Sequence, residues 1–194
     1  MRRSFVLGIF VMLGSVLSMT GVASGQETFT GNVISYGSRA YTGVRTANFT
    51  LRLNSMTADE DVTGLLGVLR DKGQDALLDA VRKQDLGSFS LNQGIARTIN
   101  AVRETNSGGK RHIYAIFERW EQFAELRGGY RSLDYPFGYI ELTIDPRTGK
   151  GSGKYFAAAK IRWKTDKKNG ASTVEIEDYA TYPAELVNVE SGKR

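Results

Sequence analysis

The chain has 194 residues, with 26 Lys plus Arg against 21 Asp plus Glu, one histidine and no cysteine. Without a thiol and with a single imidazole, disulfide scaffolds, thiolate chemistry and multi-histidine zinc or iron sites are excluded. This length suits a single domain that holds its core by packing alone.

At the N-terminus, Arg2 and Arg3 form a short positive head, and Phe5 to Leu17 is an apolar run broken only by Gly8, Gly14 and Ser15. Ala23 and Gly25 then supply small residues three and one positions before a cut. This order predicts a secretory signal peptide over 1–25 and a working chain that begins near Gln26. The run is shorter than the roughly 20 apolar residues of a bilayer span, so no membrane span is expected after cleavage. Arg2-Arg3-Ser4-Phe5-Val6 also resembles the twin-arginine signal, so the general secretory and twin-arginine routes both stay open. With no cysteine near the cut, the lipoprotein route is closed. The expected location is periplasmic or extracellular. Cleavage takes away two arginines, leaving 24 basic residues against 21 acidic ones and lowering the charge from +5 to +3. That weakens the nucleic-acid reading which a pI of about 9.4 invites.

Along the mature chain, period-two segments predict strands at Phe29 to Tyr36 and Ala47 to Asn54. Thr57-Ala58-Asp59-Glu60 has the form of a capping box. Val62, Leu65, Leu66 and Leu69 follow at helical spacing, and Gly73 stops the helix. A second short helix is expected from about Asp75 to Lys83, burying Leu77, Leu78 and Val81. Further strands are expected near Ser88 to Leu91, Ile95 to Glu104, Arg111 to Trp120, Phe137 to Asp145, Lys154 to Trp163 and Thr173 to Tyr179. Turn residues at 106–109, 145–149 and 166–170 make neighbouring strands antiparallel. The expectation is one α+β domain over 26–194. Its mainly antiparallel sheet is a strongly curved sheet or barrel of about eight strands, with a helical pair inserted after the second strand.

The most distinctive composition lies between Arg111 and Leu142, where eight aromatics alternate with arginines and acids. Such a mixture could line a concavity, since aromatics give contact area and arginines hold an anionic group. The residues singled out for ligand binding are Arg119, Trp120, Arg127, Tyr130, Arg131, Tyr135 and Tyr139. The competing reading is that the aromatics fill the core.

The stretch Arg127-Gly128-Gly129-Tyr130-Arg131-Ser132-Leu133-Asp134-Tyr135-Pro136-Phe137 resembles a group of exported bacterial proteins of unknown function. So do Ala159-Lys160-Ile161-Arg162-Trp163 and Glu177-Asp178-Tyr179-Ala180-Thr181-Tyr182-Pro183-Ala184. The resemblance spans most of the mature chain and implies no activity, cofactor or catalytic residue.

Catalytic patterns are sparse. His112 is the one histidine and no serine sits in a G-x-S-x-G elbow. Glu118, Glu121, Glu125, Asp134 and Glu141 are the carboxylates that could pair, although charges at this density usually form a solvated face with arginine partners. Gly149-Lys150-Gly151-Ser152-Gly153-Lys154 resembles a phosphate loop but has threonine at 148, tyrosine at 155 and a strand after it, so it reads as a flexible hairpin tip. Asn48-Phe49-Thr50 matches the glycosylation sequon. No cofactor motif and no nucleic-acid partner is expected, and no pattern fixes an oligomeric state. The leading functional expectation is a non-enzymatic binding or interaction module for a small amphipathic or anionic ligand. The alternatives are a metal-independent hydrolase or lyase using paired carboxylates, and an envelope or partner-binding protein without a pocket.

Overall fold

The computed structural model describes residues 26–36, 43–119, 131–166, 170–180 and 182–193. The proposed signal peptide, residues 1–25, lies outside the described residues. In chain order the elements are β1 (Glu27–Ser35), β2 (Arg45–Leu53), α1 (Asp59–Lys72), α2 (Gln74–Val81), β3 (Gly87–Leu91), β4 (Arg97–Thr98) and β5 (Ala101–Ser107). There follow β6 (Lys110–Glu118), a 3-10 turn (Arg131–Asp134), β7 (Phe137–Ile144), β8 (Lys150–Thr165), β9 (Ser172–Asp178) and β10 (Ala184–Lys193). The fold is α+β, with the helical pair after the second strand as the apolar spacing requires. Among the described residues no helix is long and apolar enough to cross a membrane.

The sheet departs from expectation. It has ten strands in the order β4-β3-β2-β1-β10-β8-β7-β6-β5, with β9 branching from β8, and the ladders are antiparallel. The path is open: β4 and β5 are its two ends and no ladder joins them, so the expected strongly curved sheet or barrel of about eight strands is corrected. The cause lies in the segment read as one strand from Ile95 to Glu104. Up to Ile99 its backbone bonds to β3, Ile99 N–H donating to Gly87 O at 2.8 Å. From Asn100 onward it bonds to β6, Asn100 N–H donating to Ile116 O at 2.9 Å. Alternation reports which side chains face inward and is silent on which neighbour a backbone chooses.

β10 went unread in the sequence although it lies between β1 and β8. Its inward residues Leu186 and Val189 are three positions apart, because a bulge shifts its register against β1 and β8 and sets Asn188 at φ 52°. The extra residue of a bulge breaks the period of two that marks a strand.

Two apolar clusters organise the interior. The larger gathers Phe29, Phe49, Phe89, Phe117, Ile140 and Leu186 from both halves of the ladder. The rings of Phe89 on β3 and Tyr155 on β8 stand 5.1 Å apart although three strands separate them in the ladder, so both halves share one core. The second cluster lies on the other face of β7, β8 and β9, where Leu69, Leu77 and Val81 of the helices cover Tyr139, Phe156, Ile161 and Ile176. The capping box does not form: Ala58 is the N-cap, with no side-chain cap. Thr57 instead pairs with β5, its Oγ1 accepting Val102 N–H at 2.9 Å. Gln74 at the start of α2 ties the helices to the sheet, accepting Ile161 N–H at 3.3 Å and donating to Asp134 O at 3.0 Å.

Candidate functional site

The connection from β6 to β7 carries most of the residues singled out from the sequence. Trp120, Arg127 and Tyr130 lie outside the described residues, as does the side chain of Arg131, whose backbone opens the 3-10 turn. Arg119 supports that turn: its Nε donates to Tyr135 O at 2.6 Å and its Nη2 to Ser132 O at 2.7 Å. The guanidinium thereby ties the end of β6 to the main chain just before β7. Tyr135 is buried, its hydroxyl donating to Glu177 Oε1 at 2.6 Å and its ring meeting Tyr179 edge-on at 5.3 Å. Lys160 Nζ stands 5.9 Å from the centre of the same ring. Tyr139 is buried under the helices against Phe156, with ring centres 5.2 Å apart. Its hydroxyl has no hydrogen-bond partner, and burial drives its pKa well above the ordinary tyrosine value. Tyr135 and Tyr139 therefore sit in the core, on a segment where Tyr135 to Ile140 are all buried.

Ionisable groups around Tyr135 form a connected set. Glu177 also accepts from Arg162, which reaches Glu175 at 3.4 Å, and Lys164 reaches Glu175 at 3.3 Å. Asp178, at the end of β9, has its pKa pushed up to about 6 by burial, against the opposing pull of the Ala180 and Tyr179 N–H groups. Burial also raises Tyr155 to about 12, with Arg97 lowering it and Asp178 raising it further. Burial lowers the pKa of Arg97 itself.

Of the carboxylates considered for catalysis, Glu121 and Glu125 lie outside the described residues. Glu118 is half exposed and bound to Arg82 at 3.0 Å. Glu141 faces the same side of β7 as Tyr139; its Oε2 is buried without a partner, and burial raises its pKa while Lys154 and His112 oppose the rise. His112 Nδ1 lies 3.2 Å from Thr143 Oγ1. Among the described residues no three His, Asp or Glu side chains gather to hold a metal ion. The glycine-rich segment is corrected from a flexible tip to strand, since Lys150 to Lys154 belong to β8. A Cβ on Gly151 would lie 2.1 Å from Thr143 O and one on Gly153 2.0 Å from Glu141 O, so these glycines permit strand contact.

The sequence did not single out a second group at the same end of the ladder. Tyr36 follows β1, Val44 precedes β2, Ile95 precedes β4, and Tyr179 and Tyr182 occupy the link from β9 to β10. The register places these links together with the β6–β7 connection: Ile34 lies opposite both Thr46 and Glu185, Ala184 opposite Tyr155, and Glu118 opposite Phe137. All five side chains are exposed, from Tyr36 at 45% to Ile95 at 72%. The available signal was an aromatic beside a turn residue, as in Tyr182-Pro183. Elsewhere, a cleft of about 380 Å³ opens between the start of α1 and the end of α2, lined by Glu60, Leu65, Gln84 and Asn100.

No protein-family model, curated protein or solved structure matches the chain.

The aromatic cluster and the partly buried ion pairs are what this end of the molecule offers chemically. Exposed tyrosines combine broad apolar contact with a hydroxyl and lose little rotamer freedom on binding. Behind them, Arg119 ties the 3-10 turn to the end of β6, and Tyr135 bonds Glu177 of β9.

Proposed function

We propose that the protein is an exported binding module that takes a small amphipathic ligand at the loop end of its sheet, through Tyr36, Val44, Ile95, Tyr179 and Tyr182. The observation that carries this reading is their grouping: five of the six exposed large hydrophobics among the described residues sit at that end, Met56 being the sixth. Single exposed apolar residues are ordinary on any surface, whereas a group of them on loops of a rigid scaffold marks an interaction site. Arg97, Tyr155 and Asp178 supply polar groups near the same end. Export rests on the tripartite N-terminus. A second reading, docking of a partner protein, draws support from Ile95, whose 72% exposure suits a flat contact better than an enclosed one.

Native mass spectrometry of protein purified from its own periplasm or medium tests both. A retained small-molecule mass that disappears in an Ile95→Ser, Tyr179→Ser, Tyr182→Ser variant is the expected result. A co-purified chain released by the same substitutions points to the second reading. A bare mass, with no partner in either form, overturns both.

A further inference from the structure

The outer face of β1, β2, β3 and β4 differs from the rest of the surface. Inward residues of these strands fill the core, as with Phe29, Phe49, Leu51 and Phe89. The residues that alternate with them are threonine, serine and asparagine, with Ile34 near the loop end and Arg52 as the one charged side chain. The helices cover the outer face of the other half of the ladder, whereas among the described residues no element packs on this half. Solvated strand faces and edges are ordinarily kept soluble with lysine and glutamate. A face that leaves them out calls for a different explanation.

Its side chains are ordered in rows across the strands. Thr30 lies opposite Thr50, and Thr50 opposite Ser90. The next row is a chain of amides: Asn188 Nδ2 donates to Asn32 Oδ1 at 3.3 Å, and Asn32 Nδ2 donates to Asn48 Oδ1 at 2.8 Å. Asn92 closes it, its Oδ1 accepting Asn48 N–H at 2.8 Å. Asn188 and Asn92 both have left-handed backbones, φ 52° and 48°, which asparagine tolerates better than most residues. Each amide offers two donors and two acceptor lone pairs, so the internal bonds orient the row without exhausting it. Adjacent strands lie about 4.8 Å apart, a repeat close to the length of one pyranose ring. Tyr36 lies just beyond the amide row at the end of β1, half exposed, with its hydroxyl donating to Glu185 Oε2 at 3.0 Å.

We infer that this face binds a neutral polysaccharide, whose hydroxyl and acetamido groups pair with the threonine, serine and asparagine rows. Charge selects the ligand class: β1 to β4 present one arginine on this face, and the bordering β10 carboxylates already have partners, Glu185 in Tyr36 and Glu190 in Lys150, whereas an amide chain with spare donors and acceptors matches an uncharged, hydrogen-bonding polymer. The rows run across neighbouring strands, from β10 through β1 and β2 to β3, which suits an extended polymer better than a small molecule. Tyr36 gives a ring against which a sugar can stack at the end of the row. The Asn48-Phe49-Thr50 sequon lies in the middle of this face, so a glycan attached to Asn48 would cover it. The inference does not depend on the loop-end reading, and its test leaves Ile95, Tyr179 and Tyr182 untouched.

The test is co-sedimentation of the mature protein with colloidal chitin, using carboxymethylcellulose as an anionic comparison. Retention on chitin that survives raised sodium chloride and yields to soluble N-acetylglucosamine oligomers is expected. Asn48→Asp and Thr50→Lys should each weaken it about tenfold or more, with circular dichroism unchanged. No retention on chitin overturns the inference. So does retention removed by salt, equal retention on the anionic polymer, or retention unaffected by both substitutions. Inhibition of ice growth without chitin retention would also overturn it, assigning the threonine rows to ice. If neither variant folds, competition by the soluble oligomer on the unaltered protein decides.

Discussion

Arg111 on β6 holds Glu27 at the start of β1 with two parallel hydrogen bonds of 2.8 Å, Nη1 to Oε1 and Nη2 to Oε2. The same guanidinium binds Glu104 on β5 at 3.0 and 2.7 Å, and Ser191 on β10 donates to Glu27 at 2.7 Å. β1 and β6 belong to different halves of the ladder, with β10, β8 and β7 between them. This network therefore pins the two halves together at the end opposite the exposed tyrosines. Both partners are largely withdrawn from water, at 16% and 12% side-chain exposure, so replacing Glu27 weakens two charge-assisted hydrogen bonds, while Glu104 still balances Arg111. Glu27→Gln should lower unfolding free energy by about 2–3 kcal/mol in urea titration, with little dependence on added salt.

Asp178 should make stability depend on pH in an unusual direction for a carboxylate. Its folded pKa, about 6, lies above the unfolded value of about 3.9. Its contribution is therefore fully present below the unfolded value and is lost as pH rises through about 6. Asp178→Asn keeps an oxygen to accept the Ala180 N–H, bonded at 3.1 Å, and removes the charge. Thermal unfolding should show the variant gaining on the wild type by about 1–2 kcal/mol at pH 8, after allowance for partial exposure, and gaining nothing at pH 3.5. Equal differences at both pH values would refute the assignment.

Two glycine-to-alanine substitutions should move stability in opposite directions. On Gly153 a Cβ meets Glu141 O at 2.0 Å, a backbone atom that cannot step aside without breaking the β7–β8 ladder. Gly153→Ala should cost about 3 kcal/mol or more. On Gly64, within α1, nothing lies within 4 Å of the added carbon. Gly64→Ala should stabilise the protein by up to about 1 kcal/mol through helix propensity. Chemical denaturation of the two variants checks both signs.

Tyr139→Phe should be neutral or stabilising by up to about 1 kcal/mol, because it deletes a buried hydroxyl that has no partner and keeps the ring packed on Phe156. A loss greater than about 1 kcal/mol would show that the hydroxyl is hydrogen-bonded in solution.

The helical pair was legible because Leu65, Leu69, Leu77 and Val81 recur at the period of a helix and Gly73 interrupts them. Its attachment was less so. Thr57 looked like a cap, yet its hydroxyl bonds a β5 amide forty-five residues away. Tyr135 and Tyr139 looked like ligand contacts because they are aromatic and sit among arginines. From Tyr135 to Ile140 every residue is buried, so neither face of this segment meets solvent and no alternation separates core from site. The exposed tyrosines at the loop end escaped notice for the converse reason. Each is unremarkable alone, and only the pairing of distant strands brings Tyr36, Tyr179 and Tyr182 to one end, beside Ile95.

Composition and local pattern by themselves determined a cysteine-free α+β chain, the position of the helical pair and most strand cores, since these depend on side-chain type and spacing within a few residues. Tertiary structure alone decided that the ladder stays open between β4 and β5, that β10 lies between β1 and β8, and that an amide row crosses β10, β1 and β2 to the turn after β3. These features arise from backbone hydrogen bonds between segments far apart in the chain. Such bonds join groups common to nearly every residue, so side-chain identity leaves the choice of partner open until the whole core is packed.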